Sequence, residues 1–435
     1  MRRRRALNGP HFHEAAALCF SAAESLRIEA MQHSDMQLAR YLYRAALHGG
    51  SRKTRARARD KYLLMLCQHD GGKQQPRLAC TIKRHLRAGG FSCRLSPGVL
   101  RYPERHSMAE QVSTSAQPAA GVSCALDGTL PSGMLSQLQL AFGPASPFWS
   151  EHSYACGLRP SPFFSYVHSL DGPPLTGFDR VLRLLHQRAV AAGFARAAQA
   201  RYVEWWAHCR PHGVGHQVHF DSDNEGSGGV RNPLVSSAFY LTGGGVGGPT
   251  LVTDQRRVGE GSGLARRGWL VLPEVNRYLL FDGRLLHGVI PGRGVAAIDA
   301  RQPPAQQPAQ PPGLEMGLVH SEGARRISVM VAFWPHIRQR ESARPAAARP
   351  FPYDAIKGCG GAGGRRAGGG SGGNAACTWP ALFDWPVSRD GTPEGAPLSA
   401  VTPVPMRPIQ PVWEPTEEGE RVEHMPEYDE CFQGA

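Results

Sequence analysis

Three short stretches of this chain carry residue types able to do chemistry together: His219-Phe220-Asp221, then His287 sixty-eight positions later, then Arg326-Ile327-Ser328. Two imidazoles and one carboxylate on one side of a metal make a facial site that suits Fe(II) and leaves positions open for other molecules. Gly215 to Asp221 reads as a strand, so alternation puts His219 and Asp221 on one face, with Val218 and Phe220 on the other. The same alternation assigns His216 to the face away from His219, outside the ligand set. Asp223 joins the pair only if the strand continues through Ser222-Asp223-Asn224, and that composition favours a turn. Tyr278 to Val289 reads as a strand, a turn at Asp282-Gly283 and a second strand bearing His287. Arg325 to Trp334 is a β-branched and aromatic run in which Arg326 and Ser328 share a face. An arginine pointing inward from a sheet calls for an anion. With 18 histidines in the chain, an H-x-D alone is a weak signal, and the combination is what narrows the chemistry.

On these motifs the chain from about 125 to 336 resembles the Fe(II)- and 2-oxoglutarate-dependent dioxygenases, in particular their prolyl 4-hydroxylase-like branch. The resemblance extends to Ser237 to Thr242, to Gly247-Gly248-Pro249-Thr250-Leu251-Val252, and to the strand-like Pro162 to His168. It implies a double-stranded β-helix (jelly-roll) in which His219, Asp221 and His287 hold Fe(II) as the catalytic centre. It further implies that Arg326 and Ser328 bind the distal carboxylate of 2-oxoglutarate, with Tyr240 as a second contact. The activity implied is hydroxylation of a protein or peptide side chain, prolyl among the candidates, with O2 consumed and ascorbate as a reductant. Three departures refine this. Arg326 stands where collagen-type relatives usually carry lysine; Val331 and Ala332 lack the second arginine of DNA-repair relatives; Asp221 is retained, unlike in halogenating relatives. The loops at Val214 to Gln217 and Ser222 to Pro233 are expected to set specificity. Trp205 and Trp206 are read as core or pocket wall, and Glu204 as a surface carboxylate ahead of a group that orients the metal ligands. Two other readings remain: a catalytically silent β-helix protein that binds partners through its N-terminus, and a zinc-containing cupin, which would have no need of Arg326 and Ser328.

The elements around this centre give an α+β organisation. Residues 1–105 read as a basic α-helical module, 106–124 as a linker, 125–340 as the dioxygenase domain, 341–377 as a Gly/Pro-rich linker, and 378–435 as an aromatic segment with an acidic tail. A Pro/Gln-rich insert at 301–313 is expected to be disordered. Apolar residues at helical spacing predict helices over 13–31, 35–47, 53–67 and 76–88, with glycine pairs at 49–50, 71–72 and 89–90 as stops. Helix starts near 13 and 53 suggest a tetratricopeptide-like pair of units suited to peptide binding. Residues 1–110 hold 21 Lys and Arg against 8 Asp and Glu, so the net charge of +13 belongs to this part. Arginines interleaved with alanine predict a solvated helix face ahead of nucleic-acid binding. No run approaches the roughly 20 apolar residues of a membrane span, and ten cysteines without a C-x-x-C pair favour a reduced, intracellular, cytoplasmic setting.

Overall fold

The computed structural model describes residues 10–30, 32–68, 76–103, 117–154, 163–223, 231–257, 264–296, 325–339, 348–359, 379–385, 400–417 and 431–434. The insert at 301–313, the glycine-rich run 360–373 and the acidic stretch 418–430 fall outside them. Four helices come first: α1 (Pro10–Ile28), α2 (His33–Gly49), α3 (Arg52–Gln68) and α4 (Pro76–Gly89). They lie within a few residues of the predicted spans. Short strands follow at β1 (Cys93–Leu95) and β2 (Ser123–Asp127), then β3 (Ser165–Ser169), the helix Gly177–Ala191, β4 (Tyr202–Pro211) and β5 (His216–His219). The chain continues through β6 (Val235–Tyr240), β7 (Thr250–Thr253), β8 (Gly268–Val271), β9 (Arg277–Asp282), β10 (His287–Val289) and β11 (Arg325–Trp334). It ends in β12 (Ala348–Pro350), β13 (Thr402–Val404), β14 (Arg407–Ile409), β15 (Trp413–Pro415) and β16 (Cys431–Phe432).

Two facing sheets form the centre. The larger runs β12-β3-β4-β11-β6-β9-β2-β13 and the smaller β14-β8-β7-β10-β5. Alternation along β11 explains why the larger sheet needs cover on both sides. Ile327, Val329, Val331 and Phe333 face the helix Gly177–Ala191 and share its core with Phe178, Val181 and Leu182. Arg326, Ser328 and Met330 point to the opposite face, toward the smaller sheet. Of the C-terminal aromatic residues, Trp379, Phe383 and Trp385 sit on the helical side, where Phe383 packs against Phe178 with ring centroids 4.7 Å apart, while Trp413 is buried in the core on the other side of the smaller sheet.

The outer face of the smaller sheet is covered by α1 to α4. Val218, Leu251, Leu270 and Ile290 share one core with Tyr43, Leu63, Leu66 and Leu86. Polar ties reinforce the contact: the Arg27 guanidinium donates to the Gly213 carbonyl at 2.6 Å, and the Gln68 amide donates to that of Pro291 at 2.9 Å. β1 pairs with β15 and β16, which joins the chain's two ends beside this core.

The expected strand, turn at Asp282-Gly283 and second strand are present. β9 belongs to the larger sheet and β10 to the smaller one, so this turn carries the chain from one sheet to the other. The Asp282 carboxylate holds the corner by accepting from the Arg284 N–H at 3.1 Å and from its guanidinium at 2.7 Å. Glycine is required at 283 because a Cβ there would lie 2.3 Å from the Pro233 carbonyl oxygen. His287 is thereby delivered to the strand beside His219.

Candidate metal centre and anion pocket

β10 sits against β5 with His287 directly opposite His219. Asp221 follows two residues after β5, and one ligand atom from each of His219, Asp221 and His287 lies within 4.8 Å of the others. The Asp221 Oδ1 is 3.4 Å from the His219 Nε2 and 3.7 Å from the His287 Nε2. Both imidazoles are oriented from behind by backbone. The His219 Nδ1 lies 2.9 Å from the Gln217 carbonyl, and the His287 Nδ1 lies 3.1 Å from that of Leu285. A carbonyl only accepts, so each Nδ1 carries a proton and each Nε2 is turned toward the carboxylate. That is the ligand tautomer with its usual outer partner.

The carboxylate is fixed as well. Ser236 on β6 donates its hydroxyl to Asp221 Oδ2 at 2.7 Å, and the Asn232 amide donates to the Asp221 carbonyl at 2.6 Å. Burial works against ionisation of Asp221, but the His287 and His219 imidazoles and the Ser236 hydroxyl outweigh it and hold its pKa well below the carboxylate range. Burial pushes the His287 pKa down to about 4, and among the described residues its buried Nε2 has no hydrogen-bond partner. An unpartnered imidazole nitrogen beside a carboxylate fits a divalent cation.

Arg326 lies in the same cavity. It is 2% exposed, and among the described residues its Nε and Nη1 have no hydrogen-bond partner. Burial, and then the charge of neighbouring Arg210, push its pKa down to about 10, leaving it charged at neutral pH. A buried guanidinium with open donors is costly unless an anion pairs with it, and a carboxylate matches its planar fork. Its stem passes over Gly247, where a Cβ would lie 2.7 Å from the Arg326 Cδ, and Gly247 has a φ of +81°. Ser328 and Tyr240 face each other across the β11–β6 ladder and line the cavity, with the Tyr240 hydroxyl 2.7 Å from that of Thr250. Arg325 points elsewhere and pairs with Glu29 at 2.6 Å.

Several residues stand differently from expectation. His216 is on the cavity side with His219, their ring centroids 4.6 Å apart. The cause is a β-bulge: His287 pairs with His219 and Val289 with His216, so two steps on β10 answer three on β5. One extra residue inverts the alternation. His216 is nevertheless absent from the three-residue ligand group. Asp223 is buried in an ion pair with Arg231 at 2.6 Å, apart from that group. Glu204 is 7% exposed, which overturns its reading as a surface carboxylate, and burial raises its pKa to about 7. His212 accepts from the Gly247 N–H at Nδ1, 2.9 Å, so its Nε2–H faces the Arg293 carbonyl and its role is structural. Trp206, expected as core or pocket wall, lines the cavity beside His208 and Arg210, which the sequence did not assign to it. Period-two alternation along β4 from Trp206 would have found the other two.

No protein-family model matches the chain, and no curated protein does so either. Similarity appears among solved structures. A Pseudomonas putida prolyl-4-hydroxylase aligns over 51% of this chain and 94% of its own, at 16% identity and a TM-score of 0.29. HygX from Streptomyces hygroscopicus, solved with nickel and 2-oxoglutarate bound, aligns over 54% and 91% at 11% identity and a TM-score of 0.27. The non-heme alpha ketoglutarate dependent carbocyclase SnoK from nogalamycin biosynthesis aligns over 56% and 94% at 10% identity, with a TM-score of 0.32. Similarity at this level is distant, and the chemistry rests on the side-chain geometry. Among the described residues, no helix is long and apolar enough to cross a membrane.

Proposed function

We propose that this chain is an Fe(II)- and 2-oxoglutarate-dependent oxygenase of jelly-roll architecture that hydroxylates a protein side chain, with prolyl as one candidate. The observation that carries the reading is the pairing of two different unsatisfied groups in one cavity. One is a His-Asp-His group with both Nε2 atoms directed at the carboxylate, and the other is a buried guanidinium with open donors. A metal site alone would fit many reactions; a metal site beside an unpaired arginine fits a metal-chelating keto acid with a distal carboxylate. Bound iron and 2-oxoglutarate would supply the oxidising power by activating O2, with 2-oxoglutarate leaving as succinate and CO2 and ascorbate restoring spent iron. His219, Asp221 and His287 would hold the metal, Arg326 would anchor the distal carboxylate, and Ser328 and Tyr240 would steady it. The protein's further task is placement, since the substrate bond must sit near the metal while other groups are kept away. Trp206, His208 and Arg210 are placed to do this at the cavity wall.

The test is direct. Anaerobically purified protein is titrated with Fe(II) and with 2-oxoglutarate, and succinate release is then measured in air without added substrate. Wild type is expected to bind both and to release succinate slowly. Asp221→Ala is expected to lose iron, while Arg326→Ala keeps iron and loses 2-oxoglutarate by roughly 10- to 100-fold, the scale of a charge-assisted bidentate contact. Failure of wild type to bind either one would sink the reading.

A further inference from the structure

A second concavity, away from the metal centre, opens between α2, α3 and α4, with a volume of about 650 Å3. Its composition is one-sided. Arg40, Arg44, Arg59, Arg77 and Arg84 line it, two histidines join them, and among the described residues no carboxylate does. None of the five arginines forms an ion pair with another described residue. Arg44, Arg77 and Arg84 are exposed. Burial, and then the charges of Arg84 and Arg59, hold the His85 imidazole below its ordinary pKa, as expected in a positive field. The floor is aliphatic, made by Leu47, Leu66 and Leu78.

We propose that this groove binds an acidic peptide segment of a protein partner, with aliphatic side chains on the leucine floor and carboxylates on the arginine rim. The chain shows the same chemistry next door. Glu417 pairs with Arg87 and with Lys83 on the flank of α4, so this helix already engages a carboxylate-bearing segment. A single-stranded nucleic acid would need flat aromatic faces for its bases to stack on. Tyr62, the aromatic residue lining the groove, is 6% exposed and meets the His85 ring edge-on at 5.2 Å, so it offers no such face. Five guanidinium groups without an ion pair among the described residues, over an aliphatic floor, match carboxylates interspersed with leucine-like side chains.

The proposal stands apart from the oxygenase reading, and its test uses the full chain without iron or 2-oxoglutarate. Fluorescence anisotropy is recorded with a labelled glutamate-rich peptide carrying two leucines, with its lysine-for-glutamate counterpart, and with a short single-stranded RNA. The acidic peptide is expected to bind, to weaken as salt is raised, and to lose about tenfold or more in affinity when Arg44→Glu and Arg77→Glu are combined. Arg180→Glu, an exposed arginine on the helix Gly177–Ala191, is expected to leave binding unchanged. Equal binding of the lysine peptide, tighter binding of RNA, or indifference to the double charge reversal overturns the proposal. So does binding that emerges only when the six acidic residues between 418 and 430 are changed to amides, because the chain's own segment would then be the occupant.

Discussion

At the residue scale, the deciding quantity is which polar atoms are left without partners. His287 Nε2 and two of the Arg326 nitrogens are buried and unsatisfied, while the neighbouring Tyr240 hydroxyl and His212 ring are hydrogen-bonded. An unsatisfied buried group costs on the order of 1–3 kcal/mol, more when charged, so a fold keeps such atoms where a ligand completes them. Gly247 offers a sharp test because the atoms nearest to an added Cβ there belong to the stem of Arg326. A methyl group there must displace that stem, and the positive φ adds backbone strain. Gly247→Ala is expected to raise the Kd for 2-oxoglutarate by about tenfold or more while Fe(II) affinity stays near wild type. Isothermal titration with each ligand separately would read this, and an equal loss of both would show that the substitution disturbs more than the arginine.

At the element scale, the helix Gly177–Ala191 is held against the larger sheet by a buried polar knot. Asp179 accepts from the Leu175 and Thr176 N–H groups, closing a capping box with Thr176, and also accepts from the Tyr353 hydroxyl at 2.8 Å. His168 completes it. The Trp205 indole only donates, at 2.8 Å to the His168 Nε2, so the His168 Nδ1 carries the proton that faces Asp179. Burial lowers the His168 pKa, so the ring is neutral and Asp179 bears the charge. Burial alone would raise the Asp179 pKa, but hydrogen bonds from His168, Tyr353 and the Leu175 N–H bring it down to about 2, against an ordinary 3.8. A depressed carboxylate contributes stability above its unfolded pKa, and that contribution drains away as pH falls from about 4 toward 2. The shift corresponds to about 2 kcal/mol. Asp179→Asn should therefore be less stable than wild type by about that amount at neutral pH. In urea titrations at both pH values, the gap should narrow markedly at pH 2; a constant gap would mean the charge is not what matters.

At the scale of the whole molecule, the helices and the metal strand belong to one core. Phe432 on β16 packs edge-on against Phe91 at 5.4 Å, and the next residue, Gln433, accepts from the Val218 N–H on β5 at 2.8 Å. The chain's last described strand thus steadies the segment that bears His219. Phe432→Ala is expected to cost about 3–5 kcal/mol, the usual range for a buried aromatic truncation. Loss of helix by circular dichroism and loss of tryptophan fluorescence should move together to lower temperature, because the parts share one core; separate transitions would show independent units. Much of this was legible beforehand. Alternation and spacing named His219, Asp221, His287 and Arg326, and apolar periodicity located four helices, because those signals are local to a few residues. The sequence alone determined which groups were available and which faces of β11 they took. Only the tertiary structure decided the rest. The bulge that turns His216 inward depends on β10 lying beside β5; the burial of Glu204 and the partnership of Asp221 with Ser236 depend on strands far apart in the chain. The positive groove likewise exists only because three helices bring arginines from separate turns to one rim. Contacts of that kind are set by packing between distant segments, and no short stretch of residues encodes them by itself.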